Sequence, residues 1–320
     1  MFTRGSVLAI LGAVLAISAC DPFGLPATRA LEGGAADTLG AGNTFEVVGE
    51  YTAAGTRWRI DLQVAGPSTR HVLVTSNSET VEAIVVGPDA YYRGEAFLAR
   101  HLSGNPIGAS LAKAAGSAWW RDRPGQAPTL PDFTDGAAFR TTFLGSAVTQ
   151  RVDPHNGVSS VVLSGTRADV FISPTPPFYL QEVRLKSGVE VDGITDADFV
   201  YSNPGKDFHI AAPTDLIDFA NLSTLPPIYT VVSVDTSQCA SPCVVSARVK
   251  NLGGTTGARG RSTVSFVLQD RLTGQTQGTC AALVQPDVGY NSTTTVSCTI
   301  DAVAVNGAEV TATADNPGRA

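Results

Sequence analysis

The sequence predicts an α+β chain: a sheet with short helices, followed by an all-β sandwich of immunoglobulin type. Three observations carry this. Trp58-Arg59-Ile60-Asp61-Leu62-Gln63-Val64 alternates apolar and polar residues without a fault, the period of a strand with one buried face. Strand patterns on both sides of a segment with a helical period give the order sheet, helices, sheet, which is α+β. Beyond Pro226-Pro227, short strands recur with Gly253-Gly254 and Gly257 between them, the signature of a sandwich. A chain of 320 residues with 43% apolar residues can bury a core, which excludes whole-chain disorder, and 16% charged residues excludes a solvated coiled coil. A net charge of -7 leaves no basic footprint for nucleic acid.

The chain opens with Arg4 and an uncharged stretch, Ser6–Ala19. That stretch is too short to cross a hydrocarbon core, which takes roughly 20 residues, and suits the apolar region of a secretory signal. Ile17-Ser18-Ala19-Cys20 resembles the bacterial lipobox, in which small residues precede a cysteine that is acylated and becomes the new N-terminus. The competing reading is an ordinary signal cleaved near Ala19. Acyl chains such as palmitate on Cys20, at about 0.8 kcal/mol per buried methylene, would anchor the protein to a membrane. The resulting division is a signal peptide over 1–19, a lipidated tether over 20–36, a sheet-and-helix domain over 37–213, a linker over 214–228 and a sandwich over 229–320.

The tether is rich in Pro, Gly and Ala and ends in a short helix around Ala27–Thr38 that Gly33-Gly34 interrupts. Phe45–Tyr51 and Trp58–Val64 flank a turn and read as a hairpin. His71–Thr75, Val81–Val86 and Ala90–Arg93 continue the meander. Glu95–Ser103 and Ala109–Gly116 read as short helices, and Trp119-Trp120 stands before a Pro-rich loop. Asp135 is placed to N-cap a helix through Phe139, Phe143 and Leu144. Strands return at Ala147–Val152 and Val158–Gly165 around Asn156-Gly157, a type I′ turn dipeptide. Tyr179–Lys186, Phe199–Tyr201 and Phe208–Ala211 complete this part. In the sandwich, strands are expected at Tyr229–Asp235, Val244–Asn251, Thr263–Asp270, Thr279–Val284, Thr293–Ile300 and Glu309–Ala314.

Cys239, Cys243, Cys280 and Cys298 lie together in the C-terminal part, an even set that reads as two disulfides in an oxidising compartment. Three pairings exist, and local spacing favours Cys239–Cys243 with Cys280–Cys298. A zinc site is the competing reading, although zinc motifs have close cysteine pairs at both ends. The sequence holds no GxSxG, HExxH, GxxxxGK[ST] or strand-borne GxGxxG motif. His71, His101, His155 and His209 are isolated. Asp192, Asp196 and Asp198 form one acidic cluster, without the glycine and closing glutamate of a calcium loop. These features predict a non-enzymatic protein with no cofactor and no metal.

The surplus is aromatic. A sheet wrapped round short helices can leave space between the layers, and Trp58, Ile60, Leu62, Tyr92, Phe97, Trp119, Phe139 and Phe143 are the candidates to line it. The alternative is that these side chains pack on one another in a filled core.

The order of features resembles the LppX/LprG-type lipoproteins of mycobacteria and relatives, which are similar in fold to the LolA and LolB lipoprotein carriers. The residues that carry the resemblance are Phe45–Tyr51, the hairpin TRWRIDLQV, Asp89-Ala90-Tyr91-Tyr92-Arg93 and Trp119-Trp120. It continues in the helix before Asn156-Gly157-Val158, in Val162-Leu163-Ser164-Gly165 and Tyr179-Leu180-Gln181-Glu182-Val183, and in YSNPGKDFHIAAP at Tyr201–Pro213. The resemblance implies a curved half-barrel sheet holding a lipid-sized cavity, and a role in binding, carrying or displaying lipids in the envelope. The C-terminal part looks like CARDB-type immunoglobulin-like modules of bacterial surface proteins. The expectation is an extracytoplasmic lipoprotein, anchored to the cell membrane or envelope, that binds a lipid or other hydrophobic small molecule. The alternative is a non-catalytic surface or structural lipoprotein that binds an envelope protein or glycan through its sandwich.

Overall fold

The computed structural model describes residues 24–40, 42–126, 130–146, 148–155, 158–301 and 308–320. The expected signal sequence, Cys20 and the Asn156-Gly157 turn lie outside the described residues. The protein is mostly β, with a large curved sheet that is antiparallel but for one short parallel pair, two small sheets and few helices.

In chain order the first elements are α1 (Thr28–Thr38), β1 (Thr44–Ala53), β2 (Thr56–Ala65), β3 (Thr69–Thr75), β4 (Thr80–Val86) and β5 (Asp89–Arg93). Then come α2 (Glu95–His101), α3 (Gly108–Ala115), β6 (Trp119–Asp122) and α4 (Pro131–Thr134). A π-helical turn at Arg140–Leu144 leads to β7 (Thr149–His155), β8 (Val158–Ser164), β9 (Ala168–Ile172), β10 (Leu180–Leu185) and β11 (Ile194–Ser202). The chain ends with β12 (Leu216–Ile217), β13 (Tyr229–Asp235), β14 (Cys243–Asn251), β15 (Thr263–Asp270), β16 (Thr276–Leu283), β17 (Thr293–Ile300) and β18 (Ala308–Asp315).

Two compact units result. One holds the described residues up to Ser78 with Ile84–Pro88 and Gln126–Ala211; the other holds Glu79–Ala83, Asp89–Gly125 and Ala212–Ala320. One division falls at Ala211/Ala212, and Asp89–Gly125 groups with the residues from Ala212 onward. The pairing of β12 with β6 gives the reason, since Leu216 and Ile217 align in parallel with Trp119 and Trp120. The segment expected as a linker is thus partly strand, and Asp215 O accepts a hydrogen bond from Trp119 N at 3.0 Å.

In the first unit the strands run β7-β8-β9-β10-β11-β1-β2-β3. β1 and β2 are joined by Ala54 and Gly55, with φ of 47° and 75°, the two positive values a type I′ turn requires. β1 pairs on its other edge with β11, from Glu46↔Ser202 to Ala53↔Ile194. Alternation buries Phe45, Val47, Ile60, Leu62 and Phe199 and leaves Glu50, Arg57, Arg59 and Asp198 outside. β9 was not anticipated: its short run Ala168–Ile172 follows β8 closely, with Thr166 N donating to Leu144 O at 2.9 Å in the turn between them. Phe208–Ala211 forms no strand. The helix expected after Asp135 is reduced to the π-helical turn, although Asp135 Oδ1 accepts from Ala137 N at 2.8 Å.

The second unit contains the antiparallel pair β5/β6, with Tyr92 opposite Trp120, together with α2 and α3. Its C-terminal part has two three-stranded sheets, β13-β14-β17 and β16-β15-β18, which share a core of Tyr229, Val245, Val249, Val264, Phe266 and Ile300. Cys239 is bonded to Cys243, and Cys280 on β16 to Cys298 on β17, so the second disulfide ties one small sheet to the other. These bonds consume the four thiolates that a zinc site would need.

α1 runs unbroken through its two glycines, which have different surroundings. A Cβ on Gly34 would lie 2.4 Å from Pro177 O and 2.5 Å from Phe178 Cβ, whereas one on Gly33 would meet nothing within 4 Å. Helix propensity favours alanine at both positions by about 1 kcal/mol. Gly33→Ala should therefore stabilise the protein by up to about 1 kcal/mol. Gly34→Ala should destabilise it by about 1–3 kcal/mol, because backbone must move. Urea denaturation of the two variants checks this, and equal shifts would contradict the close docking of α1.

Candidate functional site

The structure does not gather the eight expected cavity residues at one place. Ile60 and Leu62 face the core from β2, each 1% exposed, and Trp58 is half-buried near the hairpin turn. Phe139 and Phe143 are buried, with ring centroids 5.4 Å apart, and Phe133 lies 5.3 Å from Phe143. Phe133 also meets Phe199 edge-on at 4.8 Å, the favoured geometry for opposed ring quadrupoles. Tyr201 Oη donates to Phe133 O at 2.9 Å inside this cluster, and burial pushes its hydroxyl pKa far above the usual phenol value.

Tyr92, Phe97 and Trp119 belong to the second unit. Tyr92 and Phe97 pack on Trp120, with centroids 5.0 and 5.9 Å away, while Tyr92 Oη donates to Arg123 O at 2.6 Å. Arg93 stacks over Trp119 at 4.6 Å. Apolar periodicity marks an inward face, but it does not say whether the space beyond is empty or filled. Here most of these rings fill it.

Two cavities use an expected residue: one of about 480 Å³ beside the β1/β2 turn is lined by Trp58 with Glu50, Arg57 and Arg59, and the other holds Leu62. A pocket of about 300 Å³ in the first unit is lined by Leu39, Phe45, Leu62 and Val64, together with Gly66, Pro67, Arg70, Thr134 and Asp135. Leu39, Phe45 and Leu62 are at most 2% exposed, so they lie beneath the pocket, and its open surface comes mainly from Asn43, Val64, Pro67, Arg70, Thr134 and Asp135. Val64 stands opposite Phe45 in the β1/β2 register. Arg70 and Asp135 supply its charges. Leu39, Phe45, Val64 and Arg70 were missed by sequence reasoning, although the unbroken alternation through Val64 already carried part of the signal.

The acidic cluster is dispersed. Asp198 lies on β11, 3.3 Å from Arg184 Nε, while Asp192 Oδ2 accepts from Asp132 N at 2.8 Å. No group of three or more His, Cys, Asp and Glu placed to hold a metal occurs among the described residues. His101 Nε2 lies 3.1 Å from Asp122, and His209 Nδ1 lies 3.0 Å from Asp207.

No protein-family model and no curated protein matches the chain. Two solved structures that match it contain MucB. One is a crystal structure of MucB in complex with MucA(peri), at a TM-score of 0.28 and 11% identity, covering 84% of this chain and 92% of that one. The other is the Pseudomonas aeruginosa MucA/MucB complex, at a TM-score of 0.29 and 11% identity, covering 86% and 94%. Superpositions of this quality carry no argument about fold or function.

Burial, with Asp132 nearby, raises the pKa of the Asp192 carboxyl above the usual carboxylate range, against the lowering effect of the Asp132 N–H. A raised folded-state pKa means that the fold favours the protonated carboxyl, so ionisation costs stability as pH rises through that value. Asp192→Asn keeps an oxygen acceptor and suits a φ of 54°. It should raise Tm near about pH 7, with the gain shrinking as pH falls towards the ordinary carboxylate range of about 4 and the native carboxyl takes up its proton. Thermal melts across that range check this; a lower Tm at neutral pH would point to a functional carboxylate held by other interactions.

Proposed function

We propose that this chain is an extracytoplasmic, non-catalytic lipoprotein that binds one acyl chain or an equally small hydrophobic molecule. The two disulfides support a location in an oxidising compartment, and the lipobox-like Ile17-Ser18-Ala19-Cys20 supports membrane attachment through an acylated Cys20. The fold is proposed to be an LppX/LprG-type, LolA-like half-barrel followed by an immunoglobulin-like module.

The observation that carries the binding reading is the pocket of about 300 Å³ onto which Val64, Pro67 and Arg70 open above the buried Leu39, Phe45 and Leu62. Its volume is at the lower end of small-molecule pockets. Transfer of an acyl chain from water would be favoured by about 25 cal/mol per Å² of apolar surface covered, without covalent chemistry. Arg70 in the lining suits the carboxylate or phosphate of an amphiphile. Cargo with several acyl chains would require the Phe133–Phe139–Phe143 cluster to open.

That packed cluster favours a second reading, in which the protein binds an envelope protein or glycan through its C-terminal module. Native mass spectrometry of the chain from Asp21, offered a saturated fatty acid, separates the two. Bound fatty acid should be retained by the wild type, lost in Val64→Trp, and weakened about tenfold in Arg70→Ala. A clean apo mass for the wild type, or unchanged uptake by a folded Val64→Trp protein, would sink the acyl-binding reading.

A further inference from the structure

Another concavity of the first unit, of about 520 Å³, is a cleft of different chemistry. It is lined by the end of α1 (Gly34, Asp37, Thr38), the segment before β1 (Gly42, Asn43, Thr44), Pro177 and Tyr179 before β10, and Pro204-Gly205 after β11. We propose that this cleft binds an organic ammonium group, which the carboxylate of Asp37 and the ring of Tyr179 recognise.

The electrostatics give the sign. Among the described residues, Asp37 is the one formally charged residue in the lining, and no lysine, arginine or histidine contributes to it. The cleft lies at the C-terminal end of α1, where the aligned peptide dipoles add partial negative charge, typically about half an elementary charge. An anion would meet repulsion from both sources, whereas a cation is attracted by both. Tyr179 is 41% exposed, unusual for a large aromatic side chain in this unit, and a tyrosine face attracts alkylammonium ions. Carboxylate with aromatic face is a donor set for an organic cation rather than for a hard metal ion, which would take several oxygens.

The cleft is also preformed. Thr38 Oγ1 donates to Gly34 O at 3.0 Å and accepts from Leu180 N at 3.1 Å, fixing α1 against the strand that follows Tyr179. Gly205 N donates to Thr44 O at 2.9 Å and holds the third wall. Asn43 Nδ2 donates to Asp37 O, closing the α1–β1 connection. Phe178 and Asn203, which flank two of the walls, have φ of 58° and 55°. A bulky aromatic residue in the left-handed region is costly, and such strain persists where the surrounding structure holds a particular geometry in place. Thr44 Oγ1 is buried at the wall with no hydrogen-bond partner.

This inference is independent of the acyl-binding pocket, although Gly42 and Asn43 line both concavities. Choline chloride titrated into the full mature chain, followed by amide chemical shifts, tests it, with sodium acetate as the charge-reversed probe. Choline should shift the Asn43, Thr44 and Tyr179 amides, and acetate should not. Asp37→Asn and Tyr179→Ala, both at exposed positions, should each weaken choline binding about tenfold, whereas Tyr179→Phe, which keeps the ring face, should bind within about twofold of wild type. Acetate binding in the cleft, no choline shifts at these amides, or unchanged choline affinity in Asp37→Asn would overturn the proposal.

Discussion

The first unit depends on the pairing of β1 with β11. It brings together Glu46 and Ser202, residues far apart in sequence, and places β1 between β11 and β2. Gly49 permits it: a Cβ there would lie 2.0 Å from Asp198 O and 2.8 Å from Phe199. A non-local contact of this kind carries a loop-closure cost that apolar burial across the two strands must offset. Phe45, Val47, Tyr51, Phe199 and Tyr201 supply that burial, with Phe45 and Tyr201 at 6.3 Å and Tyr51 and Phe199 at 5.9 Å between ring centroids. Two concavities of this unit gather round the start of β1, at Gly42, Asn43, Thr44 and Phe45, so the pairing that closes the sheet also shapes them.

The aromatic residues set the scale of any cargo. In a sheet-and-helix architecture the same rings can line a hollow or fill it, and the difference lies in their neighbours. Phe143 is fully buried among Phe133 and Phe139, and Phe133 is held in turn by Phe199 and by the Tyr201 hydroxyl. What is left open lies at the two ends of β1 and β2, and the concavity that holds Leu62 has only about 300 Å³. In the second unit Tyr92, Phe97 and Trp120 form a similar closed stack.

Strands with a clean period of two were legible in the sequence because one face of each is buried and the other solvated. All six C-terminal strands fall within a few residues of where alternation and turn residues place them. Three features were not legible, each for a physical reason. β12 is two residues long and is set by its partner β6, so no local period exists to read. Gly34 looked like a helix breaker, yet its lack of a side chain is what allows α1 to dock. The cleft at Asp37 and Tyr179 combines residues from four segments with no periodicity and no motif, so only the folded chain assembles it.

The central claim is that the interior of the first unit is packed rather than hollow. The equilibrium stability of Phe143→Ala, measured by urea denaturation with fatty-acid uptake followed on the same sample, tests it most directly. A packed ring cluster predicts a loss of about 3–5 kcal/mol with uptake retained in the protein that remains folded. A loss below about 1 kcal/mol, accompanied by loss of uptake, would mean that Phe143 lines a lipid-sized cavity and would contradict the account.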